Sequence, residues 1–341
     1  MASAPAPPRI LLLRFSAIGD ILLATPLVRA LRRRHPDAHL AAFTRAAFLP
    51  LLSDNPHLDE VHGLGPGEPL RTLAARIRAG HFTHLLDLHG SLRTRALRRM
   101  VRGRWGSFSH HRVARWLLVR FKRDRYPAGA LPVAERYFRA AAALDVVPDG
   151  GPPEFGLHPD AVAWARAWLV ARNLGRERRL VAVAPGAAHA TKRWPVESWR
   201  TLVGSLTARG RDVVVLGGPE DRVLAAAVAE SGGPRAAAAA GEATLQGTGA
   251  LLAAATAAAA GDTGVMHMAT AVGTPVVALF GPTVRQYGFF PYRARATVLE
   301  RDLPCRPCSY HGGPVCPLGH HRCLRDISPA EVGAGLEGMG G

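Results

Sequence analysis

The chain has 341 residues, of which 48 % are hydrophobic, a share that supplies two buried cores and excludes disorder for most of the chain. The 43 Lys and Arg residues exceed the 26 Asp and Glu residues by 17, which favours anionic partners such as phosphorylated substrates, acidic lipid surfaces or nucleic acid. No apolar run approaches the roughly 20 residues of a membrane span, and the Pro- and Ala-rich start lacks signal-peptide features, so we expect a cytoplasmic protein.

The first half of the chain alternates short apolar runs with segments of helical spacing. Residues 9–15 form an apolar run without strict alternation, which is typical of a strand buried on both faces. A Gly turn and a helix follow it. We expect the later strands at residues 38–44, 60–64 and 82–90, with a helix at 69–79. Such alternation predicts a parallel, doubly wound α/β sheet.

The same pattern restarts after a Pro- and Gly-rich stretch at residues 145–159. Strands are expected at 180–185, 212–218 and 274–281, helices at 198–209 and 220–231, and a further helix from Ser328. The Ala-rich segment 236–261 reads as a strand, a turn and a helix of small residues. We therefore predict two Rossmann-like domains facing a central cleft, at residues 1–155 and 156–327, and a C-terminal helix or tail at 328–341.

Three loops that follow predicted strands carry polar residues suited to a ligand. Asp20 opens the first helix, where it serves either as a cap or as a general base. Gly186 and Lys192 follow the first strand of the second half, where backbone N–H groups and a cation suit a pyrophosphate, although an ordinary loop has the same residues. Glu220 begins a helix, either as a cap or as an acceptor for ribose hydroxyls.

The segment Gly-Asp-Thr-Gly at residues 261–264 is the fourth candidate loop. Asp262, Thr263 and Gly264 open a helix whose N-terminal N–H groups suit phosphate oxygens. His267 lies one turn further along that helix. By its spacing alone, this histidine is more typical of a structural residue than of a ligand contact.

All four cysteines fall within residues 305–323, interleaved with histidines. The C-x2-C pair suits tetrahedral metal ligation, whereas the longer spacings that follow are unlike the compact knuckles of common zinc folds. A structural zinc, an iron–sulfur cluster and plain thiols, reduced or paired, all remain open. The residues of this candidate metal site are Cys305, Cys308, Cys316 and Cys323.

Four segments in this order resemble glycosyltransferase family 9, the ADP-heptose:lipopolysaccharide heptosyltransferases. They are "ILLLRFSAIGDILLATPLVRALRRRHP", "PGAAHATKRWP", "GDTGVMHMATAVGTPVVALFGPT" and "CPLGHHRCLRDISPAEV", so the resemblance spans about residues 10–332. It implies the GT-B fold, with the acceptor bound by the first domain and the nucleotide-sugar by the second. It also implies transfer of heptose from ADP-heptose to the inner core of lipopolysaccharide, with inversion and without a required cofactor.

The resemblance further implies a role for each matching residue. Asp20 is the expected general base. The residues expected to bind the donor are Gly186, Lys192, Glu220, Asp262, Thr263, Gly264 and His267. Some family members have hydroxyl residues where this chain has Ala187 and Ala188, which leaves the backbone alone to bind phosphate there.

The acceptor is expected to contact the basic, aromatic-rich stretch at residues 89–125. Gly19, Arg93 and Arg95 are our candidates, because a Kdo- or heptose-bearing lipid A is anionic and membrane-bound. This predicts peripheral contact with the cytoplasmic face of the inner membrane. The alternatives are a family 9 enzyme with another sugar donor or glycan acceptor, and a basic nucleotide- or RNA-binding protein, although no nucleic-acid module motif appears.

Overall fold

The computed structural model describes residues 6–127, 129–175 and 180–339. The chain divides into two compact units, one formed by Met1–His110 with Leu131–Gly156 and the other by His111–Ala130 with Leu157–Gly341. Residues 111–130 therefore group with the second unit, whereas the sequence led us to expect one boundary near residue 155. Among the described residues, no helix is long and apolar enough to cross a membrane.

Each unit contains one parallel sheet. The strands are β1 (Arg9–Leu13), β2 (His39–Arg45), β3 (Glu60–Leu64), β4 (His84–Asp87), β5 (Arg104–Ser107), β6 (Leu180–Ala184), β7 (Asp212–Val215), β8 (Ala236–Ala238), β9 (Ala257–Gly261), β10 (Val276–Phe280) and β11 (Ala296–Glu300). The first sheet has the order β3-β2-β1-β4-β5 and the second the order β11-β10-β9-β6-β7-β8. All their pairings are parallel, as the alternating pattern predicts.

Helices connect the strands. They are α1 (Ile18–Leu22), α2 (Thr25–Arg34), α3 (Leu70–Ala79), α4 (Leu92–Met100), α5 (Arg112–Phe121), α6 (Val133–Tyr137), α7 (Pro159–Ala171), α8 (Val196–Ala208), α9 (Arg222–Ala229), α10 (Leu245–Ala254), α11 (Gly264–Ala271), α12 (Arg322–Arg325) and α13 (Pro329–Glu337). Short 3-10 turns lie between several of them, including one at Ala190–Lys192.

The central strand of the first unit is β1, whose residues Ile10–Leu13 are fully buried. Its register pairs Leu13 with Asp87 at the end of β4, so the segments that follow these two strands emerge side by side. Strand ends that meet at one edge of a parallel sheet commonly carry the ligand site.

The returning segment of the first unit is tied to α2 by a buried cation. Arg29 forms a two-point hydrogen bond with the Asp149 carboxylate, at 2.6 and 2.8 Å, and an ion pair of 2.7 Å with Glu154. The Asp149 hydrogen bond is the main cause that raises the pKa of Arg29 above its usual range, and it holds the pKa of Asp149 at about 2. These bonds explain why a Pro- and Gly-rich stretch packs with the first unit.

The Ala-rich segment of the second unit forms the elements that its sequence predicts. Strand β8 is followed by a turn, by α10 and then by β9, in which every residue is buried. Strand β9 lies between β6 and β10 and contributes Ala257 and Ala259 to the core of this unit. Small side chains suit such a central strand, because helices can pack closely on both of its faces.

Candidate active site

Asp20 lies in the first turn of α1, directly after β1, and its side chain is 19 % exposed. One carboxylate oxygen, Oδ2, forms an ion pair with Arg14 Nη2 at 2.6 Å. The same oxygen accepts a long hydrogen bond of 3.4 Å from the Ala17 N–H, and Oδ1 accepts one of 3.2 Å from the Tyr137 hydroxyl. The capping contact is therefore present but weak, and the carboxylate is oriented chiefly by Arg14 and Tyr137.

Neither Arg14 nor Tyr137 is among the residues that the motifs single out. Arg14 also donates to the Leu88 carbonyl after β4, at 2.5 Å, so it joins the ends of β1 and β4. Burial lowers the pKa of Arg14, but Tyr137 and the Asp20 carboxylate outweigh it and raise this pKa overall. Burial, with a smaller effect of Asp20, raises the pKa of Tyr137 far above its usual value. The hydroxyl therefore stays protonated and donates a hydrogen bond to Asp20.

A second polar pair follows β4 beside this carboxylate. Asp87 Oδ1 accepts hydrogen bonds from the backbone N–H groups of His89 and Gly90, at 3.0 and 2.8 Å. Burial, and to a smaller extent the Arg14 guanidinium, lowers the pKa of His89 to about 4. His89 is therefore neutral at pH 7 and packs edge-on against Phe15, with ring centroids 5.1 Å apart.

The three acceptor candidates lie in different surroundings. Gly19 is buried within α1 next to Asp20. Arg93 is half-buried and donates from Nη2 to the Glu68 carbonyl, whereas Arg95 is exposed. Among the described residues, no hydrogen bond or ion pair joins either arginine to Asp20, so their role as acceptor contacts stays a prediction.

In the second unit, Lys192 and Asp262 come together although 70 positions separate them. Lys192 Nζ forms an ion pair of 2.6 Å with Asp262 Oδ2 and donates to the Asp262 carbonyl at 3.2 Å. Thr283, which follows β10, donates to the same Oδ2 at 2.7 Å. An ammonium has three donors, so one remains for a ligand, and Asp262 Oδ1 has no hydrogen-bond partner in the described part of the chain.

The N-terminus of α11 stands next to this pair. Thr263 is its N-cap residue, but its side chain makes no capping hydrogen bond, and its Oγ1 is buried without a partner among the described residues. Gly264 is the first helical residue, so the free N–H groups of this turn suit an anion. His267 is buried, and its ring lies 6.5 Å from that of Phe289, centroid to centroid.

The Pro-Gly turn after β6 packs against Asp221 rather than against Glu220. A Cβ on Gly186 would lie 2.2 Å from Asp221 Cγ, so only glycine fits there. Asp221 is buried and accepts a hydrogen bond from the Gly218 N–H at 3.1 Å. Glu220 is exposed and its carboxylate lies over Gly218, which leaves it accessible to a ligand hydroxyl. Sequence reasoning missed Asp221, because glycine has no side chain and Gly218-x-x-Asp221 therefore lacks the first residue of a capping box; only the Asp221 half of that arrangement is present.

The cysteine segment supports the loop that carries Lys192. Thr191 exchanges backbone and hydroxyl hydrogen bonds with Gly313, at 2.8–3.2 Å. His321 Nε2 is 2.9 Å from the Thr191 carbonyl oxygen, which adds a fourth contact to the three hydrogen bonds with Gly313. The segment therefore holds the residue directly before Lys192 from two directions.

The four cysteines are free thiols. Burial, and to a smaller extent the neighbouring Cys308 thiol, raises the pKa of Cys323 to about 11. Throughout residues 6–127, 129–175 and 180–339, no group of three or more His, Cys, Asp or Glu side chains is placed to hold a metal ion. The arrangement of the thiols therefore does not fit a preformed metal site, and the zinc remains a prediction from spacing.

Comparison with known proteins identifies the family. The model of "Glycosyltransferase family 9 (heptosyltransferase)" matches residues 70–315. The chain belongs to glycosyltransferase family 9. This confirms the resemblance drawn from the motifs and shows that the chain is a glycosyltransferase enzyme.

Similar proteins agree with this family assignment over nearly the whole chain. Lipopolysaccharide heptosyltransferase 2 of Salmonella typhimurium is 28 % identical over 359 residues, which cover 95 % of this chain and 96 % of that protein. A family 9 glycosyl transferase from Veillonella parvula superposes with a TM-score of 0.79 at 23 % identity, covering 97 % of both chains. An E. coli heptosyltransferase solved with ADP-2-deoxy-2-fluoro heptose has a TM-score of 0.67 at 20 % identity, covering 97 % and 99 %. The GT-B fold expected from the sequence is thereby confirmed.

Proposed function

We propose that this family 9 glycosyltransferase transfers heptose from ADP-heptose to the inner core of lipopolysaccharide, on a Kdo- or heptose-bearing lipid A. We also propose that it works in the cytoplasm, in peripheral contact with the inner membrane. The observation that carries this proposal is the Lys192–Asp262–Thr283 cluster beside the uncapped N-terminus of α11. Two of the relatives named above support the choice of sugar and glycan: one is a lipopolysaccharide heptosyltransferase, and the other is a heptosyltransferase solved with an analogue of ADP-heptose.

The donor-binding proposal follows from the unused groups of this cluster. The third donor of Lys192 and the N–H groups at Gly264 are available to diphosphate oxygens. Asp262 Oδ1 accepts a hydrogen bond from a sugar hydroxyl, since Oδ2 already contacts Thr283 and Lys192. Glu220 is available to the ribose, and Asp221 with Gly186 shapes the turn on which the nucleotide rests.

The chemical step is a single in-line displacement. Asp20 accepts the proton of the acceptor hydroxyl while that oxygen attacks the anomeric carbon, and the bond to the ADP oxygen breaks on the opposite side. The charge that develops on the leaving diphosphate is stabilised by Lys192 and by the helix N-terminus. One displacement inverts the anomeric configuration.

Substitution of the base tests this mechanism. Asp20→Asn keeps the shape of the side chain but cannot take the proton, so we expect turnover to fall by roughly 10²–10⁴-fold while ADP-heptose affinity is retained. Asp37→Asn, at an exposed position on the surface, is the matched control and should keep wild-type turnover. Near-wild-type turnover of Asp20→Asn would sink the proposed mechanism.

A donor screen separates this proposal from its alternatives. ADP-, UDP- and GDP-sugars are added to the purified protein, and the shift in unfolding temperature is measured, since a ligand that binds the folded state stabilises it. We expect ADP-heptose to give the largest shift. A larger shift with another nucleotide-sugar would favour a different family 9 transferase, and salt-sensitive RNA binding without any turnover would favour the binding-protein alternative.

A further inference from the structure

Helix α5 has two unlike faces. Ala114 and Leu118 point into the second unit and are buried. On the opposite face, Val113 is 72 % exposed and Trp116 is 49 % exposed. Phe121, the last residue of the helix, is 50 % exposed and contacts the Trp116 ring edge-on, with ring centroids 5.2 Å apart. Large apolar side chains at this exposure, close together on one short helix, are unusual for a surface that contacts only water.

Cations surround these apolar side chains. Residues 111–125 contain five arginines and one lysine against a single acid, Asp124. Arg120 lies on the same face as Trp116, with its guanidinium 5.4 Å from the centre of the Phe121 ring, and Arg123 follows on the exposed surface. Asp124 is exposed, and its two carboxylate oxygens accept hydrogen bonds from Gln286 at 3.0 Å and from the Tyr126 N–H at 2.9 Å.

The helix is also fixed to its unit, which a docking surface requires. Arg115 lies over the Tyr287 ring, 5.0 Å from its centre. Lys122 Nζ donates to the carbonyls of Cys305 and Pro307, at 2.9 and 2.5 Å. A ligand that binds the outer face of α5 therefore binds a rigid platform.

We propose that the outer face of α5, which we define as Val113, Trp116 and Arg120 together with Phe121 and Arg123 at the end of the helix and just after it, docks on a bilayer with anionic phospholipid headgroups. Trp and Phe enter the headgroup region while the arginines pair with lipid phosphates, a combination typical of interfacial helices. The aliphatic Val113 favours lipid over nucleic acid, because bases bind proteins by stacking on aromatic rings and a valine has no ring on which to stack. This proposal specifies how the membrane contact of the proposed function is made. It rests on the proposed function only for the identity of the acceptor.

Vesicle sedimentation of the full chain tests the proposal without any glycolipid. Vesicles of phosphatidylcholine alone are compared with vesicles in which about a third of the lipid is phosphatidylglycerol. We expect binding to the anionic vesicles only, weakened by salt. Trp116→Ser with Phe121→Ser should lower the partition coefficient roughly tenfold, and Arg120→Glu with Arg123→Glu by more than about tenfold.

Matched controls lie on other surfaces. Val223 on α9 is 83 % exposed, and Arg78 is exposed on α3, so Val223→Ser and Arg78→Glu should bind vesicles like the wild type. Stabilisation by ADP in every variant shows that it is folded. The proposal is overturned if the wild type does not bind anionic vesicles, if both α5 variants bind them unchanged, or if the α5 variants lose RNA binding instead. If the protein transfers sugar to a water-soluble acceptor but does not bind vesicles, only the membrane-docking proposal is contradicted. If it binds vesicles but transfers no sugar, only the proposed function is contradicted.

Discussion

Asp20 is held by two neighbours that bind it in different ways. Arg14 makes a charged contact of 2.6 Å to one oxygen, and Tyr137 makes a neutral hydrogen bond of 3.2 Å to the other. Tyr137 comes from α6, more than a hundred positions along the chain. A general base must lie within hydrogen-bond reach of its proton, so in the proposed mechanism the two neighbours act by fixing where this carboxylate points.

Removal of the tyrosine hydroxyl should therefore affect turnover more than donor binding. We expect Tyr137→Phe to lower kcat by about tenfold, the usual worth of one hydrogen bond, and to leave KM for the donor unchanged. Tyr310→Phe, at an exposed position, is the control. The measurement is steady-state kinetics together with the pH profile of kcat, and an equal loss of donor affinity would show that Tyr137 is only structural.

At the scale of elements, the cysteine segment and the Lys192 loop behave as one piece. Thr191 is buried and its hydroxyl both donates to and accepts from Gly313. Thr191→Val keeps the shape but leaves the Gly313 N–H without its partner, which costs about 1–3 kcal/mol of unfolding free energy. We also expect ADP to bind several-fold more weakly, because Lys192 is displaced.

The control for this substitution is Thr207→Val. The Thr207 hydroxyl makes only a local bond within its helix, to the Gly204 carbonyl at 3.2 Å. Thermal unfolding with and without ADP measures both effects. Unchanged ADP affinity in Thr191→Val would contradict the coupling between the cysteine segment and the Lys192 loop.

The cysteines themselves carry a separate prediction. Their spacing predicts about one zinc per chain, measured by metal emission spectroscopy on purified protein. The thiols do not form a ligand set as they stand, and burial is the main cause that raises the pKa of Cys308. Uptake of zinc must therefore draw the thiols together and release protons, so added zinc should raise the unfolding temperature and Cys323→Ser should abolish this rise. Metal-free, fully active protein whose stability zinc does not change would exclude the site.

The strands that the sequence predicts most readily are those buried on both faces. Strands β1, β6 and β10 are central, so their apolar runs are unmistakable. Strands β5 and β11 escaped prediction, since each is half-exposed and has no continuous apolar run, as in the Arg-Trp-Gly-Ser of β5. Edge position alone does not explain these misses, because the edge strand β3 was predicted at residues 60–64.

The same limit applies to the candidate site. Asp20, Lys192 and Asp262 were found because each follows a strand, where local sequence carries a signal. Tyr137 and Gly313 were not, since their partners lie more than a hundred positions away and no local pattern records such a contact.

At the scale of the whole molecule, the chain crosses between the two units three times. It enters the second unit at residue 111, returns to the first at residue 131, and belongs to the second unit from residue 157 onwards. A cation contributes to holding each of these two stretches, residues 111–130 and 131–156, to its unit. Lys122 binds two carbonyls of the segment 305–307, and Arg29 binds the Asp149 and Glu154 carboxylates of the returning segment. The stability of the second unit therefore depends on residues 111–130, which precede the expected domain boundary. The stability of the first unit depends on residues 131–156, which include the stretch expected to be a linker.

Two matched substitutions test this arrangement by hydrogen exchange. Arg29→Met leaves two carboxylates without their buried partner, so we expect a loss of roughly 3 kcal/mol that speeds exchange in β1 and α2 of the first unit. Lys122→Met removes exposed bonds and should cost about 1 kcal/mol, with faster exchange confined to α5 and residues 305–307. The two patterns should not overlap, because each cation is bound within one unit. Equal acceleration of both units by either substitution would contradict the division of residues 111–156 between them.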